Sequence, residues 1–145
     1  MNAQDFFTEE QKLSIQKAIA DAELNTSGEI RVHVDNDCKE DVLDKAANIF
    51  HQLGMDATEL HNGVLFYLAV KDHKFAILGD KGINDKVPAD FWDNIKDIML
   101  SHFKEKDFTK GLCTGISMAG DKLKTHFPLQ HNDTNELSND MSFGN

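Results

Sequence analysis

Residues 62–85 constrain the fold of this chain more than any other segment, because they join two apolar runs through a short polar stretch. The first run, residues 64–70, is apolar throughout, which is typical of a strand that is covered on both faces of a sheet. Residues 71–73 are polar and turn-prone, and residues 74–78 form a second short apolar run. The pattern predicts an antiparallel hairpin whose first strand lies in the middle of a sheet.

An acidic loop, residues 79–85, follows the hairpin and contains two glycines three positions apart. Glycine adopts backbone angles that other residues avoid, so such a loop can fold tightly. The loop is expected to hold Asp80 and Asp85 in a fixed relation to each other. A rigid acidic loop of this kind is a candidate cation site.

Helical and strand patterns on both sides of the hairpin predict an α/β fold. A capping box at Thr8, followed by apolar residues at helical spacing, indicates a first helix, and alternating apolar and polar residues indicate a first strand. The predicted helices cover residues 8–24, 42–53, 88–99 and 108 to about 128, and the first strand covers residues 29–35. Because a strand–helix–strand crossover is right-handed, the first two strands are expected to be parallel.

Length and composition fit one domain. The chain has 145 residues and a hydrophobic content of 40%, which suits one core and would be cramped for two. We therefore expect a single domain over residues 1–128. Residues 129–145 are rich in Asn, Asp and Ser and show no helical or strand period from His131 onward, which predicts a disordered tail.

The charge of the chain limits its partners. Asp and Glu number 25 against 15 Lys and Arg, which gives a formal net charge of −10. Nucleic acid and anionic membrane surfaces are therefore disfavoured as partners, and cations are favoured. Arg31 is the only arginine, and because bidentate phosphate recognition relies on a guanidinium group, phosphate chemistry would need a metal or lysines.

No targeting segment is recognisable in the sequence. The first 25 residues lack the features of a secretory signal, and no apolar run is long enough to span a membrane, so we expect a soluble cytoplasmic protein. Cys38 and Cys113 fit no zinc or redox spacing, which is typical of reduced cytosolic thiols. The seven histidines include no pair at the four-residue spacing of a helical zinc site.

Five short motifs occur in the order in which one known family carries them. They are Ser27-Gly28-Glu29-Ile30, Asn62-Gly63-Val64-Leu65, Lys71-Asp72-His73-Lys74, Leu78-Gly79-Asp80-Lys81-Gly82 and Phe108-Thr109-Lys110-Gly111. From about Phe6 to Phe127, the chain resembles a stand-alone, soluble bacterial member of the TPM domain family, whose domain is shared with thylakoid acid phosphatases. The resemblance implies a three-layer α/β/α sandwich, with a small mixed sheet of about four strands flanked by four or more helices.

The chain departs from the common pattern of that family at two points. The hairpin carries His73 where the family usually has an arginine after the aspartate. Most relatives also carry a signal or a membrane segment, which is not found in this sequence. We therefore expect an intracellular version of the domain.

One edge of the predicted sheet collects polar residues from three strands. The start of the first strand, the start of the second and the exit of the third should meet there. The candidate ligands from these strand ends are Glu29, Asn62, Asp80 and Asp85. Carboxylate and amide oxygens are the ligands that calcium and magnesium take, so this edge is the predicted metal site. The loop before the second strand could add Asp56 or Glu59, and with them a second ion.

The opposite edge of the sheet collects further acidic residues. They are Asp35, Asp37, Asp41 and Asp72. The stretch from Val34 to Asp37 is similar to the nucleophile loop of aspartate-dependent phosphohydrolases, but Lys39 occupies the place where that loop has Thr or Val. A helix cap and a charged loop are the preferred interpretation of this edge.

Three functions are compatible with these observations. The first is a binding module in which calcium or magnesium holds the acidic loops together and thereby serves a metal-responsive regulatory role. The second, implied by the thylakoid relatives, is a metal-dependent acid phosphatase with Asp85 or Glu29 as the base. The third is a scaffold that meets a protein partner through Phe91 and Trp92, although we expect both side chains in the core.

Overall fold

The computed structural model describes residues 3–129 and 140–144. Within these residues the helices are α1 (Glu9–Glu23), α2 (Val42–Gln52), α3 (Lys81–Asn84), α4 (Phe91–Lys104) and α5 (Phe108–His126). The strands are β1 (Glu29–Asp35), β2 (Gly63–Ala69), β3 (Lys74–Gly79) and β4 (Ser142–Phe143). Two single turns of 3₁₀ helix lie at Ala3–Asp5 and Met55–Ala57.

The strands form one mixed sheet with the order β3-β2-β1-β4. β1 and β2 are parallel, and their register runs from Glu29 opposite Gly63 to Asp35 opposite Ala69. β3 returns antiparallel to β2, as the hairpin pattern predicts. All seven residues of β2 are buried, which explains why this strand reads as a continuous apolar run.

The sheet is covered on both faces, because alternate residues of a strand point to opposite sides. On one face, Ile30, Val32 and Phe66 lie in a core that includes buried residues of α1, α4 and α5. On the other face, Leu65 and Tyr67 pack with buried residues of α2. The predicted three-layer α/β/α sandwich is confirmed.

The helices begin close to the predicted positions. α1 starts with the expected capping box, in which the Thr8 hydroxyl accepts from the Gln11 amide at 3.1 Å and the Gln11 side chain accepts from the Thr8 amide at 2.9 Å. Phe91 is buried at the start of α4, and Trp92 beside it is half-buried. Among the described residues, no helix has both the length and the apolar composition needed to cross a bilayer.

The C-terminal end of the chain contains a strand that the sequence pattern does not predict. Most of the predicted tail, residues 130–139 and 145, lies outside the described residues. Residues 140–144 are described, and within them β4 pairs in parallel with β1, while Met141 is buried. A strand of two residues is too short to show an alternating period, which is why the composition of this segment indicates disorder instead.

The contact between α1 and α5 generates a prediction for stability. A Cβ atom at Gly120 would lie 2.7 Å from the Ala22 Cβ and 3.1 Å from its Cα, so a side chain there would force the two helices apart. We expect Gly120→Val to lower the free energy of unfolding by about 1–3 kcal/mol. Urea denaturation measures this loss. The matched control is Ser117→Val, at an exposed position of α5, which should change stability by less than about 0.5 kcal/mol.

Candidate functional site

The ends of three strands meet at one edge of the sheet, as the topology predicts. The Glu29 amide donates to the Asn62 carbonyl at 3.2 Å, where β1 and β2 begin. The Asp80 amide donates to the Gly63 carbonyl at 2.9 Å, where β3 ends. These two hydrogen bonds fix the backbones of Glu29, Asn62 and Asp80 beside one another.

The segment after β3 is a short helix, α3, where the sequence suggests a tight glycine loop. Asp80 is the N-cap residue of α3, and its Oδ1 accepts from the Lys81 amide at 2.8 Å. The Gly82 amide donates to the His61 carbonyl at 2.9 Å. A Cβ at Gly82 would lie 2.6 Å from that carbonyl oxygen and would also overlap the Leu60 carbonyl. Gly82 therefore permits a close approach of two backbones and is not needed for an unusual backbone angle.

Three side-chain oxygens at this edge are buried and lack a hydrogen-bond partner within the described residues. They are the Thr58 Oγ1, the Asn62 Oδ1 and the Asp80 Oδ2. The amide nitrogen of Asn62 donates to the Ser27 hydroxyl at 3.4 Å, and the Asp80 Oδ2 lies 3.5 Å from the His61 Nδ1. A buried polar atom without a partner costs about 1–3 kcal/mol. Three such atoms from two adjoining segments are candidates for contact with an ordered water or an ion.

Two glutamates lie close together at the same edge. Glu29 is only 2% exposed, and the Glu23 Oε2 accepts from the Ile30 amide at 2.7 Å. Burial and the nearby charge of Glu29 raise the pKa of Glu23 from 4.5 to about 8, against the opposing effect of the Ile30 hydrogen bond. Glu23 is therefore protonated at neutral pH. The sequence gives no sign of this role for Glu23, because the last turn of a helix carries no motif that places it beside the sheet.

The other predicted ligands do not join this group. Asp56 is exposed and pairs with the His51 Nδ1 at 2.7 Å, which is the main reason that its pKa lies below the ordinary value. Glu59 is exposed on the same loop. Asp85 is exposed at the C-terminal end of α3, beyond the turn that Asp80 begins. The structure thus brings together Glu29, Asn62 and Asp80, with Thr58 and Glu23 as additions.

The chemistry of this edge suits a hard cation better than a soft one. Within residues 3–129 and 140–144, no group of three or more His, Cys, Asp and Glu side chains is placed to hold a metal ion. A cation at this edge would therefore draw on amide, hydroxyl and carbonyl oxygens in addition to carboxylates. Oxygen-rich ligand sets of this kind are those that calcium and magnesium use.

The opposite edge holds a buried polar network that the sequence analysis missed. The Asp35 carboxylate accepts from the Tyr67 hydroxyl at 2.7 Å and lies 3.0 Å from the His33 Nε2. His33 and Asp35 are the polar members of an alternating strand, a pattern that normally marks a solvent-exposed face. Nearby, the Asp72 carboxylate accepts from the Cys38 amide at 2.8 Å. Asp41 occupies the N-cap position of α2 but makes no side-chain capping bond.

A sequence model of the TPM domain matches residues 1–122. The chain belongs to the TPM domain family. A solved structure that the chain resembles is the BA42 protein of the psychrophilic bacterium Bizionia argentinensis, with 49% identity, a TM-score of 0.91 and 97% of each chain covered. No curated protein matches the sequence.

Two more distant structures share the fold of this TPM domain. The N-terminal domain of the cg2496 protein from Corynebacterium glutamicum is 14% identical with a TM-score of 0.66, and 90% of this chain and 85% of that chain are covered. The N-terminal domain of a protein from P. gingivalis is 17% identical with a TM-score of 0.69, and 88% of this chain and 84% of that chain are covered. At such identities the likeness concerns the fold alone.

The raised pKa of Glu23 predicts a pH-dependent stability for this TPM domain. Between about pH 4.5 and pH 8 the folded protein holds a proton that the unfolded chain has released, so stability falls as the pH rises through this window. Glu23→Gln removes the ionisable group and keeps an acceptor for the Ile30 amide. We expect it to flatten the pH dependence and to be more stable than the wild type at pH 8, by on the order of 2–4 kcal/mol.

Thermal unfolding followed by circular dichroism from pH 4 to pH 9 measures this effect. Glu10→Gln is the matched control, because Glu10 is an exposed residue in the first turn of the same helix. An unchanged slope in Glu23→Gln would show that another group causes the pH dependence.

Proposed function

We propose that this TPM domain binds a divalent cation, calcium or magnesium, at the edge where β1 and β2 begin and β3 ends. The observation that carries the proposal is the set of three buried side-chain oxygens, of Thr58, Asn62 and Asp80, without hydrogen-bond partners in the described residues. A cation bound between the segment before β2 and the start of α3 is the partner that we propose for these oxygens.

The charges at this edge support the same proposal. Asp80 and Glu29 contribute carboxylates, and Glu29 is almost completely buried. Buried carboxylates repel one another unless a cation or a proton compensates their charge. The proton that Glu23 retains at neutral pH is one such compensation, and a divalent cation would be a stronger one.

Cation binding would have a structural consequence that fits a regulatory role. The segment of residues 55–62 and the segment of residues 79–85 are joined by the Gly82–His61 hydrogen bond, and each contributes oxygens to the proposed site. An ion held by both segments would stiffen them and lower their local opening. The surface at this edge would then differ between the free and the bound form, and a protein partner could read the difference.

Two finer expectations remain predictions from the sequence. A second ion would need Asp56 or Glu59, and both are exposed, with Asp56 already paired to His51. Acid phosphatase activity is implied by the family resemblance, and the proposed cation site does not depend on it.

A calcium and magnesium titration of the chelator-treated protein tests the proposal. Saturable amide NMR shifts are expected in residues 55–62 and 79–85. At a metal concentration of 100 times the dissociation constant, the free energy of unfolding should rise by about 2.7 kcal/mol. Asp80→Asn should abolish both effects, because it removes the charge but retains an oxygen that can cap α3.

Asp85→Asn is the matched control. It removes the same charge from an exposed position five residues along the chain and should leave the metal response unchanged. A metal-induced increase in stability that persists in Asp80→Asn, or that is lost in Asp85→Asn, would place the site elsewhere. If the wild type shows no saturable shift with either metal, the proposal is wrong.

A further inference from the structure

The outer edge of β1 is occupied by the C-terminal segment of the same chain, residues 140–144. His33 lies opposite Ser142 and Val34 opposite Phe143, and the Gly144 amide donates to the Val34 carbonyl at 3.0 Å. The pairing covers only two residues, so few backbone hydrogen bonds hold the segment in place. Without this segment, β1 would be an edge strand with free donors and acceptors.

Ser142, the third residue of the segment 140–144, contacts β1 through its hydroxyl group. The Ser142 Oγ lies 2.6 Å from the His33 Nδ1, and the His33 Nε2 lies 3.0 Å from the Asp35 Oδ1. Burial alone would raise the pKa of Asp35, but the hydrogen bonds from His33 and Tyr67 outweigh it and keep this pKa below its ordinary value. Asp35 is therefore ionised and pairs with the His33 Nε2, while the His33 Nδ1 shares a hydrogen bond with the Ser142 hydroxyl, which also lies 3.5 Å from the Val32 carbonyl.

Contacts with the rest of the protein also restrict which residues fit at the other positions of the segment. A Cβ at Gly144 would overlap the Asp35 carboxylate and lie 3.0 Å from the His33 Nε2, so only glycine fits there. Met141 is buried in the main core, and Phe143 packs against the same core. The Lys12 ammonium group lies 5.1 Å from the centre of the Phe143 ring, within the range of a cation–π contact.

This arrangement is more selective than a two-residue strand requires for stability. His33 and Asp35 are 6% and 1% exposed, and a buried polar pair of this kind often stabilises a protein no more than apolar residues would. The buried pair instead distinguishes between peptide sequences. His33 bonds to a hydroxyl group at position 142, and Asp35 leaves no room for a side chain at position 144. Addition of an extended peptide to a sheet edge, with pockets for alternate side chains, is a known mode of peptide recognition.

The first residue of the segment, Asp140, is favoured by charge. Arg31 lies on β1 two residues before His33. Burial lowers the pKa of Arg31, and the negative charge of Asp140 partly offsets this effect. Lys12 and Arg31 thus place two cations beside this edge in a chain of net charge −10. A segment that begins with an acidic residue is favoured there.

We infer that the outer edge of β1 is a recognition site for an extended segment of a partner protein with the pattern acidic, apolar, serine, aromatic, glycine. Residues 140–144 carry this pattern and occupy the site in cis. The chain's own segment thereby competes with the partner, and displacement of the short β4 strand exposes the edge. His33 contacts the serine hydroxyl, and Asp35, which accepts from Tyr67, leaves no room for a side chain at the glycine position. The main core takes the apolar and aromatic side chains.

The probe is a synthetic pentapeptide with the sequence of residues 140–144, capped at both ends. It is titrated into the full-length, isotope-labelled wild type and into the full-length Gly144→Ala variant, in which the new methyl group should expel the segment from the site. We expect saturable amide shifts at residues 33–35 of the variant, moving toward the wild-type positions. The wild type should need at least about tenfold more peptide, because the tethered segment competes at a high effective concentration.

The matched control is the same peptide with alanine in place of glycine, which should not bind the variant. Circular dichroism establishes that the variant is folded, and Ser142→Asp, which sets a second carboxylate against Asp35, provides an independent way to release the segment. The inference is overturned if a folded released variant shows no saturable shift, or if both peptides bind equally. It is also overturned if the released variants dimerise and bind no peptide, because a second copy of the chain would then be the occupant.

Discussion

The parallel pairing of β1 with β2 is the constraint on which the rest of the structure depends. β2 is buried along its whole length, and its seven-residue register with β1 leaves no freedom to slip without moving polar residues into the core. The pairing places the starts of both strands at one edge of the sheet and their ends at the other. The position of each candidate site follows from this register, since Glu29 lies at the first edge and Asp35 at the second.

The sequence predicts those parts of the structure that depend on periodicity, and it misses those that depend on a particular close contact. The apolar run of β2, the hairpin and the meeting of Glu29, Asn62 and Asp80 at one edge follow from patterns and topology. The sequence does not predict that the residues after Asp80 form a helix with Asp85 at its exposed C-terminal end, because that turn depends on how closely Gly82 approaches the carbonyl oxygens of the preceding loop. The burial of His33 and Asp35 depends on β4, a strand too short to leave a pattern in the sequence.

The buried polar groups at the two ends of β1 differ in how many of their hydrogen bonds are made. At the far end, the Asp35 carboxylate has hydrogen-bond partners on both oxygens, and its ionised form is stabilised. At the near end, the Asn62 Oδ1 and the Asp80 Oδ2 lack hydrogen-bond partners among the described residues, and Glu23 stays protonated at neutral pH. The far end is therefore organised in the absence of any added ion, whereas the near end carries a cost that a cation would remove.

This difference bears on what each end can recognise. A network whose hydrogen bonds are already made discriminates by shape and by donor direction, because any ligand that fails to supply the Ser142 hydroxyl leaves the His33 Nδ1 unsatisfied in a buried place. If the near end binds a cation as proposed, its oxygens would discriminate by charge and by ligand number, because oxygen ligands select hard cations of suitable size. Under the two proposals, one strand of seven residues would present two kinds of selectivity, because its pairing with β2 keeps the two edges of the sheet apart.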